Sequence, residues 1–159
     1  MPFLGYMTRK CSTISLTNEE VNMEVNILAV IVATVAMFAV GAVWYMVFFA
    51  KKWGQLHDFD SYSKEEQKAM AAKMGPFYGL QLLMTLLSAW VLAYLMVQLP
   101  NMSPVLIAIA VWAGFVLPAD VSGVIFGGTK PKDIAAKILI QAGEALLRLV
   151  VAALVISLF

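Results

Sequence analysis

The sequence predicts an all-α fold, an integral membrane four-helix bundle, and three observations carry that prediction. Hydrophobic residues make up 62% of the 159 positions, charged residues only 13%, and the mean hydropathy is +0.84; a water-soluble domain cannot hide so much apolar surface. The apolar residues gather into four long runs, Ile27 to Phe49, Phe77 to Leu99, Val105 to Phe126 and Ile134 to Leu158. None of the runs alternates in polarity as a barrel strand does, so closed helices are the way each satisfies its backbone in lipid.

The first run, 27–49, follows a polar segment and ends among aromatics; the second, 77–99, starts just after Pro76; the third, 105–126, follows Ser103 and Pro104; the fourth, 134–158, ends the chain. Each exceeds the roughly 20 residues that cross a hydrocarbon core about 30 Å thick at about 1.5 Å rise per residue. Residues 23–159 therefore read as a single membrane domain whose first partner is the lipid bilayer. A net charge of +1 gives no reason to expect nucleic acid. The lone cysteine, Cys11, has no second thiol to pair with and no His at metal-ligand spacing. No cofactor is implied.

The polar stretch 1–22 lacks the apolar centre of a signal peptide and is expected to lie upstream of the true start. Glu19, Glu20, Val21 and Asn22 can be encoded by GAG GAG GTN AAY, a purine-rich ribosome-binding sequence just ahead of an ATG for Met23.

Lys and Arg near a membrane are retained on the cytoplasmic side. Lys51, Lys52, Lys64, Lys68 and Lys73 lie between the first two runs, and Lys130, Lys132 and Lys137 lie at the start of the fourth. The turn Pro100 to Ser103 and the C-terminus have none. Both basic loops are expected in the cytoplasm and both termini outside, in a bacterial inner membrane. Within the first basic loop, Ser63 and Glu66 have the Ser-x-x-Glu spacing of a capping box, which predicts a short helix from Lys64 to about Met74, with Gly75 and Pro76 as punctuation before the next span.

Around the first span the chain reads Asn26, Gly41-Ala-Val-Trp44-Tyr45 and Phe48-Phe49-Ala-Lys51-Lys-Trp53, followed later by Trp112-Ala-Gly114-Phe115, Pro118, Phe126-Gly127 and Ala142-Gly143. This ordered set of aromatics, glycines and prolines over residues 23–159 resembles the small bacterial membrane proteins of domain-of-unknown-function family 1761. The resemblance implies a four-helix membrane architecture and no assigned activity. Glu144 stands where the resemblance leads one to expect an aromatic residue.

An ionised side chain at mid-bilayer costs about 2.5–3.5 kcal/mol on insertion scales, so polar residues inside the runs are the candidates for function. Asp120 lies six residues before the inner end of the third run, about 9 Å deep, and Glu144 and Arg148 lie ten and fourteen residues past Ile134, about 15 and 21 Å deep. Glu144 and Arg148, at i and i+4 with the acid first, have the order that favours a helical ion pair. Asp120 is then left without a partner unless Lys137 reaches it; Gln141 lies one turn beyond Lys137. Together Asp120, Gln141, Glu144 and Arg148 form the candidate intramembrane polar site. Trp44, Tyr45 and Trp53 read as interface anchors at the inner boundary of the first span.

Pro118 is expected to free the carbonyl of Gly114 and open a kink in the third span. Gly114, Gly123 and Gly143 are expected to allow close helix contact. His57, Asp58 and Asp60 are three metal-capable side chains without partners elsewhere, a weak set. There is no Gly-rich phosphate loop, Gly-x-Ser-x-Gly elbow or His-Glu-x-x-His, and Ser88, Ser122 and Ser157 have no nearby His, so neither a catalytic residue nor an enzyme is expected. Two functions compete: a structural or interaction component that assembles as a homo-oligomer or with a membrane-protein partner, and an oligomeric proton-linked transporter or channel-like subunit.

Overall fold

A computed structural model describes residues 24–159, which leaves the expected start at Met23 and all of 1–22 outside the described residues. The fold is all-helical, and its elements run α1 (Ile27–Val43), α2 (Ala50–Leu56), α3 (Lys64–Lys73), α4 (Gly75–Gln98), α5 (Pro104–Val111), α6 (Leu117–Phe126) and α7 (Ile134–Ile156). Two π-helical turns are inserted, Trp44–Phe48 after α1 and Trp112–Val116 between α5 and α6. Four helices are long and apolar enough to cross a membrane: Ile27–Phe48, Gly75–Gln98, Pro104–Phe126 and Pro131–Ile156. Their bounds lie within three residues of those read from hydropathy, because length and apolarity are local properties of the chain.

The starts and stops are made by side chains that satisfy orphan backbone groups. The Asn26 side chain accepts from Leu28 N–H and Ala29 N–H at the head of α1. Ser103 Oγ accepts from Leu106 N–H, with Pro104 at the first helical position of α5. The capping box of α3 is present in both directions: Glu66 N–H donates to Ser63 Oγ and Ser63 N–H donates to Glu66 Oε2. The Ser63 N–H and Ser63 Oγ–H, both donating to Glu66 Oε2, hold the Glu66 carboxyl below its ordinary range. Gly75 does not end α3 in a left-handed turn as a helix-stop glycine would; Met74 makes the break, and Gly75 already belongs to α4 beside Pro76.

The spans meet most closely at the end that carries the short turn 99–103. There Val30, Ala33 and Met37 of α1, Ala89, Leu92 and Ala93 of α4, Ile107 and Ala108 of α5, and Leu149, Ala152 and Ala153 of α7 form one buried cluster. The small side chains let backbones approach, which is the main source of attraction between helices already surrounded by hydrocarbon. Two buried hydroxyls in these helices donate to their own backbone, Thr34 to Val30 O and Thr85 to Gln81 O, so neither needs a partner across the bundle. The fourth span is the hub: α7 packs against α1 on one side, α5 and α6 on the other, and also touches α4.

At the opposite end the second span stands apart. Residues 75–84 of α4 are all exposed, whereas Thr85, Ala89, Leu92 and Ala93 further along are buried. Over the whole bundle, large apolar side chains such as Phe38, Leu82, Leu106 and Leu139 point outward, an arrangement suited to acyl chains and costly in water.

The glycines behave differently from the sequence expectation. A Cβ on Gly143 would stand 3.3 Å from Trp44 Cζ2, so this glycine does permit a close approach. Gly114 and Gly123 have nothing within 4 Å of the corresponding point, so among the described residues they permit no close approach of this kind. The third span packs mainly through other positions, Ile107, Ala108 and Val124. Gly128 has φ +72, the left-handed conformation that turns the chain after α6.

Candidate functional site: a polar junction on the fourth span

The junction begins with a sequence feature used twice. Ala42-Val43-Trp44 and Ala110-Val111-Trp112 place a tryptophan at the head of a π turn in both the first and the third span. Phe49 N–H donates to Trp44 O at 2.9 Å, and Leu117 N–H donates to Trp112 O, each reaching back five residues. In the third span the next residue is Pro118, which has no N–H to give, so the break expected there takes the form of a π turn just ahead of the proline.

Both indoles then reach the same stretch of α7. Trp44 Nε1–H donates to Ile140 O at 3.0 Å, and Trp112 Nε1–H donates to Ala142 O at 2.8 Å. Two spans are thus tied to a third by bonds whose acceptors lie two residues apart. Trp44 was expected to anchor at the headgroup boundary; its N–H turns inward instead, because a helix carbonyl in hydrocarbon is a better partner than none. Its ring also floors an open apolar cleft of ≈ 270 Å³ between the first and fourth spans, lined by Ala39, Val40, Val43, Phe48 and Leu147.

Gln141, Glu144 and Arg148 share one face of α7 with Lys137, at spacings of four, three and four. Glu144 is buried, with 8% of its side chain exposed, and Arg148 Nε lies 3.8 Å from Glu144 Oε2. The expected i, i+4 pair therefore exists, but at a separation beyond hydrogen-bond range. Gly41 on α1 makes room for the carboxyl: a Cβ there would be 3.2 Å from Glu144 Oε1. Tyr45 and Asp120, on the first and third spans, lie within electrostatic reach of the Glu144–Arg148 pair. Asp120 itself is half-buried and makes no ion pair among the described residues; Lys137 does not reach it.

The remaining candidates lie at the loop end. Trp53 stacks obliquely between Tyr45 and His57, with ring centroids 4.6 and 4.2 Å away, so two of the three aromatics read as anchors touch each other. Asp58, at φ 52 in the left-handed region, accepts two bonds of 2.9 Å from Lys130 Nζ. That contact ties the first loop to the third and holds the Asp58 carboxyl below its ordinary range, chiefly through the hydrogen bond. With Asp58 so engaged, the loop set of His57, Asp58 and Asp60 loses its central ligand to a lysine. Gln67 Nε2–H donates to Phe59 O and Tyr62 O, closing the loop on itself.

Sequence reasoning did not single out Trp112 or Gly41 as parts of the site. The repeated Ala-Val-Trp was the available signal for the first; the second depends on which face of α1 meets α7, which no local pattern reveals. The arrangement as a whole can hold a buried charge in place. No match was found to a curated protein or to a solved structure. The family model described as "Protein of unknown function (DUF1761)" matches residues 28–157, from the first turn of α1 to the end of α7, and the chain belongs to that family.

Proposed function

We propose that this protein is a structural or interaction component of the bacterial inner membrane that assembles with a second copy of itself through the third span. One observation carries the reading. The third span is the least buried of the four, and a Cβ at its small residues Gly114 and Gly123 would meet nothing within 4 Å among the described residues. Asp120 and Gly123 share a face at i and i+3, and a half-buried carboxyl on a lipid-facing span favours a polar partner across an interface. A two-fold contact would bring two such faces together. In this reading both basic loops are cytoplasmic, the termini are periplasmic, the protein has no catalytic role, and neither nucleic acid nor a cofactor takes part.

The test is oxidative crosslinking in native membranes, using Gly123→Cys in a Cys11→Ser background. A crosslinked dimer is expected, with none from Leu139→Cys on the opposite, fourth span. A monomer at all protein levels overturns the reading. Labelling Asn101→Cys with an impermeant thiol reagent checks orientation in the same strains.

A second reading, a proton-linked transporter or channel-like subunit, is favoured by the ionisable Tyr45 and Asp120 lying within electrostatic reach of Glu144 and Arg148. Asp120→Asn separates the two. A structural Asp120 leaves proteoliposome pH gradients unchanged in both proteins, whereas wild-type flux abolished by the amide supports transport, because an amide cannot ionise.

A further inference from the structure

Along the inward face of α7, two polar atoms on residues two turns apart lack a hydrogen-bond partner among the described residues and flank a buried carboxyl. Gln141 Oε1 and Arg148 Nε are shielded from solvent and unbonded among the described residues. Between them the Glu144 carboxyl, on a side chain only 8% exposed, meets Arg148 Nε at 3.8 Å and accepts no hydrogen bond there. Buried polar groups in native folds are satisfied by protein or by ordered water, and leaving them bare costs free energy.

We propose that Gln141, Glu144 and Arg148 form a binding site for internal water. The ligand class follows from the donor set. Gln141 Oε1 and the Glu144 carboxylate need donors, and Arg148 Nε–H needs an acceptor. A water molecule gives two hydrogens and accepts two, so water is the smallest ligand that meets both kinds of need. A polar separation beyond 3.5 Å is the range in which water bridges. Gly41 lets the carboxyl itself lie close against α1: any larger residue there would set a Cβ 3.2 Å from Glu144 Oε1.

Half-buried Lys137 continues the polar face one turn from Gln141 toward the loop. Water bound at the site carries the neutralisation of Glu144 by Arg148 across their 3.8 Å separation. The buried charge is thereby held by a hydrated contact in place of a direct one.

The experiment uses the full chain in lipid bicelles, labelled with 15N at arginine. Arg148 and Arg9 are the arginines of the sequence, so the Arg148 Nε–H resonance is the one lost in Arg148→Lys. The expected result is magnetisation transfer between Arg148 Nε–H and water in the wild type, lost or much reduced in Gln141→Leu. The same variant is expected to unfold at a lower denaturant midpoint, because it strands a bound water. An Arg148 Nε–H without contact to water overturns the proposal. So does a raised midpoint in Gln141→Leu, the result of removing an acceptor that nothing satisfies. Should Gln141→Leu not fold, Gln141→Met repeats the comparison, and the wild-type measurement decides by itself.

Discussion

The two ends of the bundle are held by different physics. At the short-turn end, Ala33, Met37, Ala89, Leu92, Ile107, Ala108, Leu149 and Ala152 meet by shape alone, with polar groups confined to hydroxyls that bond their own helix. At the loop end, the contacts are directional: two indole N–H groups on α7 carbonyls, a buried Glu144 with its arginine, and a lysine–aspartate tie between loops. The second span belongs to the first end only, since its residues 75–84 touch little. The difference teaches that in a four-helix membrane chain, apolar packing sets which helices are neighbours, while a few bonds set how deep and at what rotation they meet. Dispersion between small side chains has no preferred register, whereas a donor must find its acceptor.

The largest expected break of this contrast is at Arg148. Arg148→Leu leaves Glu144 buried without its cation and should cost about 3–5 kcal/mol, while Glu144→Leu with Arg148→Leu should recover most of that loss. A double-mutant cycle on unfolding in bicelles measures it; additive effects would show that the two side chains do not interact.

The next prediction weighs the two ends against each other. Leu92→Ala, at the packed end, should cost about 2–5 kcal/mol through the cavity it leaves. Trp44→Phe and Trp112→Phe should each cost only about 0.5–1.5 kcal/mol, because each removes one donor and Ile140 O and Ala142 O keep their helical partners within α7. If the tryptophan variants prove as costly as Leu92→Ala, the loop end is not the weaker half and the contrast fails.

The smallest effect is expected at the loop tie. Lys130 holds the Asp58 carboxyl below its ordinary range, so this contact contributes at neutral pH and is lost as pH falls through the depressed folded value. Both groups are exposed, so added salt should weaken the contact as well. Exchange of the Asp58 and Ser61 backbone amides, followed against pH with Lys130→Ala as reference, should converge for the two proteins at low pH. Convergence already at neutral pH would mean that the tie does not order the loop.

Much of this molecule is written locally. The four spans, the Asn26 and Ser103 caps and the Ser63–Glu66 capping box each depend on residues within a few positions of one another, so hydropathy and spacing suffice to find them. The Glu144–Arg148 pair was legible for the same reason, being one turn of one helix. The site around it was legible only in part. Asp120, Gln141, Glu144 and Arg148 were marked by their cost in lipid, yet nothing local shows that Tyr45 joins them or that Lys137 does not reach Asp120. Trp44 read as a boundary anchor because its position in the span is known from sequence and its rotation is not.

The sequence by itself determined that the chain forms four apolar helices, where they start and stop, and which charges they carry into the bilayer; backbone satisfaction in hydrocarbon leaves no other choice. Only the tertiary structure decided that α7 is the hub, that Trp44 and Trp112 both fasten to it through π turns, that Gly41 and Gly143 sit at close contacts while Gly114 and Gly123 do not, and that the second span stands away at the loop end. Those outcomes depend on the rotation and depth at which one helix meets another. Because the faces of these spans are apolar nearly all round, hydrophobicity alone prefers no rotation, and the choice falls to steric fit and to a handful of hydrogen bonds between residues some 30 to 96 positions apart.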